Sequence, residues 1–170
     1  MRRLIQTISL LLLLTGYAPF GSAQATREEA NKAVVRRAFE ALEKGDIATL
    51  NALFDPQGPW HTPKGTTILQ GGPFPDLQSS CPMCAALDGR KITIEVMLAE
   101  GDLVAVRSTW SGKYTGNYKG IQISGKEVSM IYVNIYRVVD GRIRENWADT
   151  DRLSLAEQLG MKLAPSETAK

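Results

Sequence analysis

The sequence predicts one α+β domain in which helices cover one face of a curved antiparallel sheet. Three observations predict it. An apolar stripe with helical period follows residue 25, and from residue 91 the chain alternates apolar and polar residues between turn signals. Helices followed by a meander of about four strands pack as helices on one face of the sheet. The chain has 170 residues, enough for one core and too few for two comfortable ones.

The first 25 residues have the organisation of a secretory signal peptide. Arg2 and Arg3 form a cationic start, residues 4–14 form an apolar run, and residues 23–25 (Ala-Gln-Ala) offer a small-residue cleavage site. As a helix, the run is too short to cross a hydrocarbon core about 30 Å thick. We therefore expect cleavage, a secreted or periplasmic protein, and no membrane association afterwards.

Cleavage also changes the charge of the protein. The full chain carries a net charge of +2, and losing Arg2 and Arg3 lowers its 20 basic residues to 18, equal to its 18 acidic ones. A neutral domain offers no electrostatic argument for nucleic acid as a partner. We expect a small hydrophobic molecule instead.

The mature domain is expected to span residues 26–163, with a flexible tail at 164–170. Thr26 and Glu29 fit a capping box that would begin the first helix, and Gly45 would end it. Asp46 would cap a second, short helix that closes before Pro56.

The middle of the chain is predicted to be irregular and the last half to be sheet. Residues 55–90 contain six prolines and five glycines, although a short strand at Trp60 and His61 and a short helix within 73–87 fit the pattern. Strands are predicted at 91–100, 103–114, 126–139 and 142–150. Asp140-Gly141 is the strongest hairpin signal, and Asp151 would cap a final helix.

Several motifs, in this order and spacing, resemble one known family. Residues 101–110 (GDLVAVRSTW) resemble its G-D-x-V-x-x-R strand, and residues 115–121 its T-G-x-x-x-G-I loop. Residues 135–143 (IYRVVDGRI) resemble its I-Y-R-x-x-D-G-K-I hairpin, residues 145–153 its E-x-W-x-x-x-D-x-L segment, and residues 158–160 its closing Q-L-G. From residue 28 to 160, with 62–90 the weakest part, the chain resembles the SnoaL-like polyketide cyclase (ester cyclase) family of the nuclear-transport-factor-2-like superfamily.

This resemblance implies a cone-shaped, curved sheet whose N-terminal helices and C-terminal helix enclose an apolar pocket. It also implies a homodimer formed through the sheet and chemistry without cofactor or metal. In the family's cyclases an aspartate in the pocket acts as acid and base in an aldol closure. Aligned through the 137–143 hairpin, that position falls on Ala148, which cannot transfer a proton, and the family's His and Gln fall on Asn134 and Tyr132.

Three other side chains are candidates for acid/base chemistry, namely His61, Asp149 and Asp151. His61 is the one histidine of the sequence, and histidine is the residue type best suited to proton transfer in a pocket, although a surface position beside Trp60 is the alternative. Asp149 and Asp151 flank the Ala148 region, but Asp149 points inward only if the strand slips or bulges. Asp151 corresponds to the family's other aspartate, which we interpret as the cap of the last helix.

Candidate ligand-binding residues come from the same strands. Arg107 would bind an acidic or carbonyl group, or else form a structural ion pair with Glu145, Asp149 or Asp151. Tyr132 and Asn134 share a strand face and could donate hydrogen bonds, or simply pack. The complete predicted binding set is Trp60, Arg107, Tyr132, Asn134 and Asn146.

Cys81 and Cys84 depart from the family pattern. A C-P-x-C spacing resembles the redox motif of thioredoxin-like proteins, but the strand and helix order of that fold is absent. Two cysteines and one histidine fall short of the four ligands that structural zinc takes. In an exported protein a local disulfide is the simpler interpretation.

Two functions therefore remain open. One is a small cyclase-like lyase, isomerase or hydrolase that uses acid/base chemistry on a hydrophobic carbonyl compound. The other is a binding module that uses the same pocket without chemistry, which Ala148 favours.

Overall fold

The computed structural model describes residues 20–63, 65–68, 74, 76 and 81–162. In that part of the chain the elements are, in order, α1 (Phe20–Lys44), α2 (Ile47–Leu53), β1 (Pro59–Thr62), β2 (Gly65–Ile68), α3 (Pro82–Ala86), β3 (Leu87–Glu100), β4 (Leu103–Tyr118), β5 (Ile121–Val139), β6 (Arg142–Thr150) and α4 (Arg152–Gln158). The predicted signal-peptide core (4–14) and the predicted tail (164–170) lie outside the described residues.

The strands form one curved sheet in the order β2-β1-β6-β5-β4-β3. Neighbours pair antiparallel, as predicted, except that β1 pairs parallel with β6. The prediction of an α+β fold with N-terminal helices, a curved sheet and a C-terminal helix is confirmed. The parallel pair makes the sheet mixed, because β1 reaches the edge of β6 from the irregular segment rather than through a hairpin.

The first helix begins at Phe20 and not at Thr26 as predicted. Residues 22–25 (Ser-Ala-Gln-Ala) contain no helix breaker, and the Gln24 amide donates to Glu28 across one turn at 3.1 Å. The predicted capping box is therefore not formed in the full chain, and Glu29 instead pairs with Lys32 at 2.5 Å.

The core lies between α1 and the sheet. Phe39 meets the rings of Trp110 and Tyr136 edge to face, at centroid distances of 6.2 and 6.0 Å. Val35 and Leu42 are buried on the same face of the helix. The predicted apolar stripe thus packs across β4 and β5, and it fixes which face of the sheet is the inner one.

The predicted caps and hairpin of the other elements are confirmed. Asp46 accepts from Thr49 N at 3.0 Å to begin α2, and Asp151 accepts from Ser154 N at 2.8 Å to begin α4. Asp140 and Gly141, with φ of 51° and 71°, form the turn between β5 and β6.

A β-bulge in β6 sets the register of the whole β5–β6 pair. Val138 pairs with Ile143, but Arg137 pairs with Glu145, so Arg144 is the extra residue. Asp55 holds the bulge: its N–H donates to the Ile143 carbonyl at 2.8 Å, and its carboxylate accepts from Arg144 at 2.6 Å. Every β6 residue after Arg144 therefore faces the side opposite to the one an unbulged hairpin would give it.

Gly58 lets the chain pass close to this bulge. A Cβ at this position would lie 2.6 Å from the Arg144 carbonyl oxygen, closer than a side chain allows. The loop from α2 to β1 therefore lies against the bulge through backbone alone, which places β1 beside β6.

The bulge is expected to be sensitive to acid through Asp55. The hydrogen bond from Gln57 N, followed by that from Arg144, lowers the pKa of this carboxyl below its ordinary value. A carboxyl with a lowered folded-state pKa stabilises the fold above its unfolded pKa of about 3.9, and this stabilisation is lost as the pH falls through the folded pKa. Asp55→Asn should lower the urea midpoint at pH 7 and leave a smaller difference between pH 7 and pH 3 than in the wild type.

Asp88→Asn, at an exposed position of β3, is the matched control and should keep the wild-type difference. An Asp55→Asn variant with the wild-type dependence on pH would contradict this role of Asp55.

Candidate ligand-binding site

The two faces of the sheet carry different chemistry. Side chains alternate along each strand, and paired residues share a face. On the inner face, which α1 covers, three pairs link β5 to β6: Tyr132 with Thr150, Asn134 with Ala148, and Tyr136 with Asn146. The side chains between them point to the outer face.

A cavity of about 240 Å³ lies at one end of the inner face, between the sheet, α3 and α4. Tyr132 and Thr150 form its floor, and Asp151 and Arg152 lie at the start of α4 beside them. The apolar walls are contributed by Met83, Tyr118, Met130 and Leu155. An apolar cavity with a few polar groups at one side is the usual form of a small-molecule site.

Tyr132 is the phenol of this cavity. Its ring contacts that of Trp110 at a centroid distance of 4.8 Å. Burial raises the pKa of Tyr132, while the charge of Arg152 and a hydrogen bond with Thr150 oppose that rise. The net shift is upward, so Tyr132 is a neutral hydroxyl at physiological pH and can donate a hydrogen bond to a ligand oxygen.

Two buried amides lie beyond Tyr132 on the same face. Asn134 Nδ2 donates to Asn146 Oδ1 at 3.2 Å, and both side chains are buried. Asn134 Oδ1 is buried without a hydrogen-bond partner among the described residues. Leaving a buried carbonyl unpaired costs about 1–3 kcal/mol, so this oxygen is a candidate acceptor for a donor group. Trp60 pairs with Asn146 in the sheet, and its ring is tilted against that of Phe54 at a centroid distance of 5.7 Å. It extends the apolar surface beyond the amides.

His61 lies on the outer face and not beside Tyr132. It pairs with Trp147, stacks on that ring at 5.2 Å, and its Nε2 lies 2.9 Å from Glu145 Oε1. Burial raises the pKa of Glu145, but the hydrogen bonds from His61 and Arg137 outweigh it, and the net shift is downward. The His61 side chain, which we predicted to lie in the pocket or at the surface, thus lies half-buried on the outer face in hydrogen-bond contact with Glu145.

Asp149 and Arg107 also lie on the outer face. Both pair with Val133, Asp149 from β6 and Arg107 from β4. Arg107 forms a close ion pair with Glu95 on β3, rather than with the three acids named from the sequence. The bulge explains why Asp149 points outward, because it turns Ala148 to the inner face and the residues on either side of Ala148 to the outer face.

Of the three predicted acid/base residues, Asp151 is the one that lines the cavity. Its Oδ1 accepts from Ser154 N at 2.8 Å, so the carboxylate also caps α4. The structure therefore brings together Tyr132, Asn134, Asn146 and Asp151 on the inner side, and it separates them from His61, Asp149 and Arg107.

Cys81 and Cys84 form a disulfide with an S–S distance of 2.00 Å. Cys84 is fully buried, and Cys81 begins α3, whose Pro82 and Met83 form one wall of the cavity. Among the described residues, no three His, Cys, Asp or Glu side chains are placed to hold a metal ion. No helix in the same part of the chain is long and apolar enough to span a membrane.

The sequence analysis missed Arg152, Tyr118, Met130 and Met83. One sequence feature could have indicated Arg152. A cation in the first turn of a helix is disfavoured by the helix dipole, so its presence there suggests a role other than helix stability. The other three looked like ordinary apolar positions, and no local pattern distinguishes a cavity wall from a core.

A model of the SnoaL-like polyketide cyclase family matches residues 32–159. The chain belongs to the SnoaL-like polyketide cyclase family. This confirms the resemblance read from the motifs, including its extent along the chain. No curated protein matches the sequence significantly.

Solved structures show the same family fold. IdmH from Streptomyces antibioticus, a candidate polyketide cyclase, is 28% identical with a TM-score of 0.61, over 77% of this chain and 99% of that one. AclR from Streptomyces galilaeus, a candidate hydroxylase, is 22% identical with a TM-score of 0.66, over 78% and 97%. A candidate SnoaL-like polyketide cyclase from Jannaschia sp. CCS1 is 19% identical with a TM-score of 0.62, over 80% and 95%.

Two of these structures are described as candidate polyketide cyclases and one as a candidate hydroxylase, and a shared fold does not by itself set the chemistry. What this member of the family can do depends on its own cavity. That cavity is lined by a neutral phenol, a threonine hydroxyl, one capping carboxylate and one arginine.

Proposed function

We propose that this protein binds a small hydrophobic molecule that carries a carbonyl or hydroxyl group, in the cavity floored by Tyr132 and Thr150. The observation that carries the proposal is the combination of apolar walls with the hydroxyl groups of Tyr132 and Thr150 at one side of the cavity. A phenol donates to a ligand oxygen, and a hydroxyl oxygen accepts from a ligand hydroxyl.

Binding without chemistry is the function that the geometry supports best. General acid/base catalysis needs a group of suitable pKa within reach of the substrate proton. Ala148 occupies the inner position opposite Asn134, and the imidazole of His61 and the carboxylate of Asp149 belong to the other face. Neither side chain can reach a ligand beside Tyr132.

Asp151 supports a second candidate function, that of a cofactor-independent cyclase, isomerase or hydrolase. Its carboxylate lines the cavity near Tyr132, where it could accept a proton from carbon while the phenol donates to the oxygen. The cap on α4 already occupies one of its oxygens, which favours binding over catalysis.

A cavity-filling variant tests the binding proposal. N-phenylnaphthylamine, an uncharged aromatic probe, should bind the wild type with enhanced fluorescence. Thr150→Trp places an indole in the cavity and should weaken binding by at least about tenfold, which corresponds to about 1.4 kcal/mol. Circular dichroism would check that the variant remains folded.

Thr93→Trp, the same substitution on exposed strand β3, is the control and should bind as the wild type does. Unchanged binding by Thr150→Trp would refute this cavity as the site. Turnover of a carbonyl compound by the wild type that Asp151→Asn abolishes would establish the enzymatic function instead.

We also propose that two copies associate through the outer face of the sheet. Val96 and Leu98 of β3 and Ile131, Val133 and Ile135 of β5 lie there on either side of β4, with 39–65% of each side chain exposed. An exposed apolar patch of this kind marks an interaction surface, and a two-fold dimer lets one surface cover itself.

Val133→Glu should break this dimer. Each dimer would take two added carboxylates out of water, and the nearest cation, Arg107, is already paired with Glu95, so we expect dissociation to become easier by a factor on the order of 100. Ile121→Glu, on the same strand but about 40 Å away along it, is the matched control. Sedimentation equilibrium measures both, and a wild type that is monomeric, or a Val133→Glu variant that stays dimeric, would exclude this interface.

Export is the remaining proposal, and it rests on the composition of residues 1–25. Cleavage after Ala25 would leave Thr26 as the first residue of a shortened α1, free to cap its own helix with Glu29. Expression with the native N-terminus should yield periplasmic or secreted protein that begins at Thr26. Intact mass measurement of that fraction decides the question, and a full-length cytoplasmic product would refute it.

A further inference from the structure

We propose that the molecule bound in this cavity is an amphipathic acid, whose anionic group is bound at the cavity mouth by Arg152 with Lys119 and Lys162 beside it. This inference rests on the proposed binding function and adds the charge of the ligand. The neutral composition of the mature chain had suggested an uncharged one.

Arg152 lies between two hollows. It lines the cavity of about 240 Å³ that Tyr132 floors. It also lines a second, adjoining hollow of about 270 Å³. The Tyr118 hydroxyl donates to the Arg152 carbonyl at 3.3 Å and ties this residue to the end of β4.

The second hollow combines cations with an apolar floor. Lys119, in the β4–β5 turn, and Lys162, after α4, contribute two ammonium groups. Leu153, Ala156 and Met161 form the apolar part, and Glu157 contributes one carboxylate against three cations. A ligand that extends from the first cavity past Arg152 therefore meets positive charge at the point where it leaves the apolar walls.

The Arg152 guanidinium makes no ion pair with any described residue, unlike several other arginines of the sheet. Arg107 pairs with Glu95, Arg137 with Asp102 and Glu145, and Arg144 with Asp55. Two acids lie close by, but the Asp151 carboxylate caps α4, and Glu157 is not within ion-pair distance of Arg152.

Helix stability does not account for a cation at this position. Arg152 is the first residue of α4, where the helix dipole favours negative charge. Its charge also acts on the cavity, since it opposes the rise in the pKa of Tyr132 that burial causes. The Arg152 charge therefore lies close enough to Tyr132 to act on a ligand bound beside it.

A carboxylate fits this arrangement better than a neutral polar group. The guanidinium is planar and can donate two parallel hydrogen bonds to the two oxygens of a carboxylate. Phosphate and sulfonate groups share the negative charge and the acceptor oxygens of a carboxylate, so the three kinds of anion must be distinguished by experiment.

Two aromatic probes that differ in one charged group test the inference. Anilinonaphthalene sulfonate carries the anion, and N-phenylnaphthylamine has nearly the same rings without it. The wild type should bind both. Arg152→Gln should weaken the sulfonate probe about fivefold, as expected for one partly exposed charge pair, and leave the uncharged probe within twofold.

Lys113→Gln removes the same charge from an exposed position of β4 and is the matched control. It should change neither probe. An unchanged ratio of the two affinities in Arg152→Gln would overturn the anion site and leave the binding function standing. Loss of both probes in Arg152→Gln would overturn it as well, because Arg152 would then shape the cavity rather than bind charge. Failure of the wild type to bind the uncharged probe would overturn both proposals.

Competition identifies the anion. Decanoate, decyl phosphate and decanol would each displace N-phenylnaphthylamine from the wild type. We expect decanoate to compete best and to lose its advantage over decanol in Arg152→Gln. Equal displacement by decanoate and decanol from the wild type would contradict an anion site, whereas a stronger effect of decyl phosphate would assign the site to phosphate esters instead of carboxylates.

Discussion

The extra residue in β6 is the constraint on which the site depends. A two-residue turn at Asp140 and Gly141 would pair Arg137 with Arg144, and it would place Glu145, Trp147 and Asp149 inward. Because Arg144 bulges, Asn146, Ala148 and Thr150 face inward instead. One residue thus decides whether β6 presents two acids and an indole to the inner face, or an amide, a methyl and a hydroxyl.

The bulge persists because other parts of the chain bind it. Asp55 pairs with the Arg144 side chain and the Ile143 carbonyl, and Gly58 allows the backbone to approach. These contacts belong to the same segment that delivers β1 to the edge of β6. The position of Trp60 against the amide pair and that of His61 against Trp147 are therefore consequences of the same arrangement.

Charge is distributed unevenly as a result. The outer face has ion pairs around an apolar patch, and these pairs neutralise Arg107 and Arg137. The inner face has neutral polar groups, and at its open end Arg152 is left without an acid among the described residues. A chain with nearly equal numbers of basic and acidic residues, 20 and 18, can therefore still present a positive site, because several of its acids are paired with other bases.

The sequence by itself determined the elements and the family. Helical and alternating periods, the caps at Asp46 and Asp151, and the Asp140–Gly141 turn are local signals, and the ordered motifs identified the SnoaL-like fold. The same signals correctly placed Tyr132 and Asn134 on one face. The start of α1 at Phe20 was not predicted, because residues 22–25 match the pattern of a cleavage site and also suit a helix.

Only the tertiary structure decided which side chains meet. His61, Asp149 and Arg107 have the right chemistry for a site, but the bulge places Asp149 and the parallel β1–β6 pair places His61 on the outer face, where Arg107 of β4 also lies. Arg152 is a candidate ligand-binding residue only because α4 packs beside Tyr118 and Tyr132 in the folded protein. The physical reason is that a single-residue shift in strand register reverses every side chain beyond it, and no local pattern in the sequence reports that shift.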